Sequence, residues 1–122
     1  MNVVDSSAWL SYFANERNAD FFAEPIADFA QLLVPSITLT EVFKAVVRQR
    51  HEHAAAEVVA QMQRGQVIAL DASLAVEAAD CGLQFGLPLA DSVIYATARR
   101  YDAVLWTQDA DFKDLPGVKF FP

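Results

Sequence analysis

The sequence predicts an α/β domain, an α/β/α sandwich around a mostly parallel central sheet of about four to five strands. Two observations predict it. Short runs that are apolar throughout, such as Val3-Val4, Leu32-Leu33-Val34 and Val67–Leu70, alternate with longer helical patterns. Strands of that kind belong in a sheet covered on both faces. The chain is also the size of one core: 122 residues, 54% hydrophobic and 20% charged, with no repeat, low-complexity stretch or linker. Residues 1–122 are read as a single domain.

Each element has its own signal. Val3-Val4 is a strand, and Asp5-Ser6-Ser7 signals the start of a helix that continues from Ala8 to Phe13. A second helical stretch covers about Asn18 to Phe29, interrupted near Pro25. Leu32 to Val34 is a buried strand ended by Pro35-Ser36, and a helix runs from there to about Arg50. His53 to Arg64 is a further helix. Val67 to Leu70 is a strand, and Ser73 caps a helix to about Phe85 that Gly86 and Pro88 bring to an end. Ala90 to Arg100 is helical, Ala103 to Trp106 is a strand, and Val118 to Phe120 is a short last one.

Composition narrows the function. The lone Cys81 excludes an internal disulfide framework and any Cys-rich zinc site, which fits a reducing cytoplasm. No apolar run approaches the roughly 18 residues of a membrane span, and the N-terminus lacks the basic flank of a secretory signal. A cytoplasmic domain with no membrane partner is expected. Nine basic and 16 acidic residues give a net charge of −7, shared evenly between the halves of the chain. That balance argues against holding nucleic acid by charge alone. It leaves room for a nucleic-acid enzyme whose acids hold divalent cations.

In parallel sheets, ligands bind beyond the carboxyl ends of the strands. Asp5 and Asp109 directly follow strands, Glu41 lies in the first turns of the helix after the second strand, and Asp91 opens the Ala90–Arg100 helix. Each has an ordinary explanation. Asp5 caps its helix, Asp91 favours the helix dipole, Glu41 pairs with Lys44 at i+3, and Asp109 and Asp111 are turn residues. Yet Asp91 shares a stripe with Ile94 and Ala98, so it borders an apolar face. Four carboxylates at one edge repel one another unless a divalent metal joins them. All-oxygen ligation selects Mg²⁺ or Mn²⁺, and such an ion activates water against a phosphodiester.

Four segments carry a resemblance: Met1-Asn-Val-Val-Asp-Ser-Ser-Ala8, Pro35-Ser-Ile-Thr-Leu-Thr-Glu-Val42, Leu87-Pro-Leu-Ala-Asp-Ser-Val-Ile-Tyr-Ala-Thr-Ala98 and Leu105-Trp-Thr-Gln-Asp-Ala-Asp-Phe112. In order and spacing the chain resembles the PIN-domain nucleases, and among them the VapC-type toxins of bacterial toxin–antitoxin pairs. The resemblance covers essentially the whole chain. It implies a metal-dependent endoribonuclease with Mg²⁺ as cofactor, for which Mn²⁺ substitutes. The family's four acids fall on Asp5, Glu41, Asp91 and Asp109, with Asp111 as an auxiliary ligand. Its hydroxyl residues fall on Ser6 and Thr107. An RNA substrate, a cognate antitoxin protein and a homodimer are the partners it implies.

Other features fit around this reading. Lys44, Arg48, Arg50 and Arg64 gather four of the nine cations in 21 residues; they are either an ordinary wet face or a track for the RNA backbone, for which Lys44 and Arg48 are the candidates. His51 and His53, two apart, point to different sides of a helix and read as solvated histidines. Trp9, Tyr12, Phe13, Phe21, Phe22 and Phe29 are six of 14 aromatic residues. Most belong in the core, and an excess would line a groove for a partner helix. Cys81 reads as buried and inert. Two rival functions remain. A signalling receiver domain would use Asp71 as phospho-acceptor, with Thr107 and Lys119, but leaves Glu41 and Asp91 without a role. A catalytically inactive binding module of the same fold has no need of self-repelling carboxylates.

Overall fold

The computed structural model describes residues 1–122. Its strands are β1 (Asn2–Val4), β2 (Leu32–Pro35), β3 (Gln66–Ile68), β4 (Val104–Thr107) and β5 (Val118–Phe120). The helices are α1 (Ser6–Phe13), α2 (Ala19–Ala27), α3 (Ser36–Gln49), α4 (Glu52–Met62), α5 (Ala72–Phe85) and α6 (Leu89–Arg100). The sheet runs β3-β2-β1-β4-β5 with every neighbouring pair parallel. β1 is central, and the chain leaves it for β2 on one side and β4 on the other. Successive elements thus depart in opposite directions from the β1/β4 crevice, the place where α/β sheets bind ligands.

Alternation along the strands builds two cores. Val3, Leu33 and Leu105 pack with Leu74, Ala78, Val93, Ile94 and Ala98 of α5 and α6. Their neighbours Val4, Leu32, Val34 and Trp106 pack on the opposite face with Ala8, Trp9, Phe22, Val42, Val46, Val58 and Met62 of α1 to α4. Period-two side chains on a sheet buried from both sides give this division directly. The α/β/α sandwich and its five-stranded parallel sheet are as the sequence predicts.

The differences are local. Pro25 sits inside α2, buried, and the helix continues to Ala27 before a 3₁₀ turn at Phe29–Gln31. The helix ends two residues after the proline instead of at it: the missing N–H of Pro25 removes only the bond to the carbonyl four residues back, at Phe21, and the turn around it persists to Ala27. α5 is capped by Asp71, whose Oδ1 accepts from the Leu74 N–H at 2.8 Å, and not by Ser73, which binds Arg100 in the first turn. α4 starts at Glu52 because His51 Nδ1 accepts from the Ala54 N–H at 3.1 Å. His51 and His53 do not diverge: their rings stack 6.3 Å apart. β3 lies at the edge, with Val67 39% exposed, so it is not covered on both faces. Cys81 is half-buried instead of buried, and burial, with the nearby Asp80 and Glu77 charges, raises its thiol pKa.

Two glycines hold α5 and α6 in place. Gly86 takes a left-handed φ of 67° where α5 ends. At Gly82 an added Cβ would stand 2.6 Å from Ser92 Oγ, so the two helices touch there. Ser92 in turn donates to the carbonyls of Pro88 and Leu87, which pins the first turn of α6 beside Asp91.

Candidate active site

Parallel register places the ends of β1 and β4 side by side: Val4 pairs with Trp106, so Asp5 and Thr107 follow as neighbours. Asp5 is 2% exposed and fully hydrogen-bonded. Its Oδ1 accepts from the Ala8 N–H at 2.9 Å, which makes it the cap of α1, and from Ser7 Oγ at 2.9 Å. Its Oδ2 accepts from Thr107 Oγ1 at 2.6 Å. Thr107 Oγ1 accepts in turn from the Asp109 N–H at 2.9 Å, and Asp109 Oδ1 accepts from the Asp111 N–H at 2.9 Å. One hydrogen-bonded chain thus runs from Asp5 through Thr107 and Asp109 to Asp111. On the other side of the crevice Ser6 Oγ donates to Glu41 Oε1 at 2.6 Å, tying α3 to α1.

The structure gathers Asp91, Asp109 and Asp111 most closely: one carboxylate oxygen of each lies within 4.8 Å of the others. Asp5 and Glu41 stand outside that trio but act on it electrostatically. Burial pushes the Asp91 carboxyl up to about 7, helped by the negative charges of Asp109, Asp5, Asp111 and Glu41 in that order. Burial likewise raises Asp5 to about 6, against the lowering hydrogen bonds from Thr107, Ala8 and Ser7, with Asp109 adding to the rise. Every charge acting on Asp91 is negative. The ion pairs of the molecule, His53–Glu57 and Arg100 with Asp71 and Glu77, lie elsewhere. This donor set is all carboxylate, with no histidine or cysteine, and its crowding is relieved by a hard divalent cation. The residues fit such an ion.

All five sequence-selected acids therefore stand at one edge of the sheet. Asp111, expected as an auxiliary, is in the tightest group. Glu41 does not pair with Lys44; it is held by Ser6. Lys44 and Arg48 are exposed on α3 and form no ion pair, whereas Arg64 lies over the Phe29 ring at 4.4 Å. Sequence reasoning misses the role of Ser7 on Asp5, although a hydroxyl two residues after a helix-capping acid is its natural signal. The receiver reading fails on placement. Asp71 caps α5 at the sheet's edge, Thr107 is engaged with Asp5, and Lys119 lies over the Trp106 ring at 4.5 Å.

The model of the PIN domain family matches residues 3–118. Comparison with curated protein sequences finds no match. Among solved structures, the chain is similar to a toxin–antitoxin complex from Klebsiella pneumoniae, with 23% identity over 98% of this chain and 96% of that one and a TM-score of 0.81. It is similar to VapC20 of Mycobacterium tuberculosis, described as a sarcin-ricin loop cleaving toxin, with 18% identity over 100% of both chains and a TM-score of 0.81. It is also similar to VapBC2 from Rickettsia felis bound to a fragment of its promoter DNA, with 14% identity over 99% of this chain and 98% of that one and a TM-score of 0.76. Identities at this level speak to the fold. The family match, in contrast, runs from β1 to the start of β5 and so takes in every strand of the sheet and every acid of the crevice: the chain belongs to the PIN domain family.

Proposed function

We propose that this chain is a metal-dependent endoribonuclease, the toxin of a toxin–antitoxin pair, and that it works in the cytoplasm. The observation that carries the proposal is the convergence of Asp91, Asp109 and Asp111, with buried Asp5 linked to them through Thr107 and no cation among them. Asp5, Glu41, Asp91 and Asp109 are assigned as the catalytic metal ligands and Asp111 as an auxiliary one. Mg²⁺ is the assigned cofactor and Mn²⁺ its substitute. When bound, such an ion offsets phosphodiester charge and makes water a nucleophile near neutral pH.

The chain's own residues prepare that chemistry. Thr107 and Ser7 hold both Asp5 oxygens in place, so the carboxylate keeps one orientation. Ser6 does the same for Glu41. Asp91, whose carboxyl burial and the neighbouring acids push up to about 7, would be one of the carboxylates that hold the ion, in its deprotonated form. Lys44 and Arg48, exposed on the helix that carries Glu41, are assigned to the RNA backbone.

The antitoxin is assigned to the groove of about 270 Å³ walled by Trp9, Tyr12, Phe13, Ile26 and Phe29, among others. This is where the aromatic excess of α1 and α2 surfaces, and a helix with an apolar face suits it. A second copy of the chain is the other expected partner. No helix is long and apolar enough to cross a membrane.

The test is cleavage of RNA by protein freed of any antitoxin, with Mg²⁺ or Mn²⁺ and with EDTA. Metal-dependent products bearing 5′-phosphate and 3′-hydroxyl ends support water as nucleophile. Ends bearing 2′,3′-cyclic phosphate contradict it.

A further inference from the structure

We infer that a polar pocket beside the acidic crevice is a base-reading subsite for the RNA strand, an inference that rests on the endoribonuclease function proposed above. The pocket, about 230 Å³, is walled by Ser11, Glu16, Arg17, Asn18, Gln108 and Pro122. Its place follows from the chain. Ser11 is on α1, the helix that Asp5 caps, and Gln108 stands between Thr107 and Asp109. Gln108 therefore joins the two places: its chain neighbours Thr107 and Asp109 belong to the acidic hydrogen-bonded chain, and its own side chain bonds Asn18 in the pocket wall.

Two of the walls carry polar atoms with nothing to bind. Only three buried side-chain polar atoms in the molecule lack a hydrogen-bond partner within the protein, and two of them are Ser11 Oγ and Asn18 Oδ1. Ser11 is 1% exposed and Asn18 6%. Buried hydroxyl and amide oxygens are seldom left unpaired, so two at one pocket point to a ligand. The Asn18 amide cannot turn to relieve this. Its Nδ2 donates to Pro122 O at 2.8 Å and to Gln108 Oε1 at 3.1 Å, which fixes Oδ1 as the free acceptor. Arg17 spends one donor on Pro122 O, at 2.9 Å, and is exposed, with its remaining N–H groups available.

The chemistry selects the ligand. Asn18 Oδ1 and the Glu16 carboxylate accept, Ser11 donates or accepts, and Arg17 donates. Single-stranded RNA is read by such side chains on the edges of unstacked bases. Paired acceptors suit an exocyclic amino group, which adenine, cytosine and guanine have and uracil lacks. Arg17 suits a ring nitrogen or carbonyl oxygen on the same edge. The lining is too polar for an apolar peptide segment.

Ser11→Ala tests this without disturbing the fold. Because its hydroxyl has no protein partner, its loss should leave the melting temperature equal or higher. Wild type, Ser11→Ala and Arg17→Gln are compared on a pool of single-stranded RNA oligonucleotides with randomised sequence, with product 5′ ends sequenced and KM measured on the best substrate. Wild type should disfavour uracil at one position next to the cut. Both variants should flatten the preference at that position alone, and each should raise KM roughly tenfold, the loss of one good hydrogen bond. Unchanged preference and KM in both variants, as ordered water in the pocket would give, overturn the subsite. An equal loss at all positions overturns base reading as well. Wild type that cleaves nothing in the pool overturns the endoribonuclease function itself, an outcome separate from either.

Discussion

Asp5 and Asp71 occupy the same local setting and differ in almost everything else. Each follows a strand, takes an extended backbone and caps the next helix with a side-chain oxygen, Asp5 to the Ala8 N–H and Asp71 to the Leu74 N–H. Asp5 ends the central strand, is buried, and faces other acids. Asp71 follows the edge strand, its side chain is 62% exposed, and Arg100 stands 3.7 Å away. The cap is common to both; position in the sheet is not. What sets Asp5 apart is its place beside the end of β4, buried among like charges, rather than its local motif.

The largest expected effect separates the two in catalysis. Asp5→Asn should lower RNA cleavage by orders of magnitude, while Asp71→Asn leaves it unchanged, since Asn caps about as well as Asp. Acetyl phosphate should leave Asp71 unlabelled. A second effect is metal binding. Wild type and Asp71→Asn should gain about 2.7 kcal/mol in unfolding free energy at Mn²⁺ or Mg²⁺ a hundredfold above its dissociation constant. Asp5→Asn should gain far less at the same concentration.

A third effect is the pH dependence of stability without metal. Asp5 and Asp91 have folded pKa values near 6 and 7, above their ordinary 3.8. The folded protein therefore holds protons that the unfolded chain has released, and stability falls as pH rises from about 4 to 7. The fall should be about 3 kcal/mol from Asp5 alone, with a further, solvent-screened share from half-buried Asp91, measured by urea unfolding at a series of pH values in EDTA. Asp5→Asn and Asp91→Asn should each flatten it and be at least as stable as wild type at pH 8; Asp71→Asn should keep the wild-type slope. Smaller still, Asp71→Ala should cost about 1 kcal/mol through the lost cap, with cleavage retained. Smallest, Lys44→Ala or Arg48→Ala should reduce the salt dependence of RNA binding by about one unit for each phosphate no longer neutralised, with metal-induced stabilisation intact.

The same pair shows what the sequence makes legible. Strand-Asp-helix patterns, apolar strands and the order of the acids are enough to place Asp5, Glu41, Asp91 and Asp109 at one edge, because chain order and the parallel rule decide which end of the sheet each acid meets. The exposure of β3 is not legible, since strand order is not written in any one strand. Nor is the Asp71 cap: Asp71 and Ser73 are both good caps two residues apart, and only the backbone settles which N–H is reached. Asp111 carries least weight in the sequence because its backbone turns within a single 3₁₀ segment, and that turn alone brings it to Asp109 and Asp91. Ser11 and Asn18 stand outside any motif; their meaning comes from Gln108, ninety residues away from Asn18 in sequence and 3.1 Å in space.

The most direct measurement is RNA cleavage by wild type, Asp5→Asn and Asp71→Asn side by side, in EDTA and with added Mg²⁺, with the chemistry of the product ends determined. The account predicts Mg²⁺-dependent cleavage to 5′-phosphate ends by wild type and Asp71→Asn alike, none in EDTA, and a loss of orders of magnitude in Asp5→Asn whose fold and metal-free stability are intact. Undiminished cleavage by Asp5→Asn would reduce that aspartate to a helix cap like its counterpart on the edge strand, and would contradict the assignment of the crevice as the catalytic site.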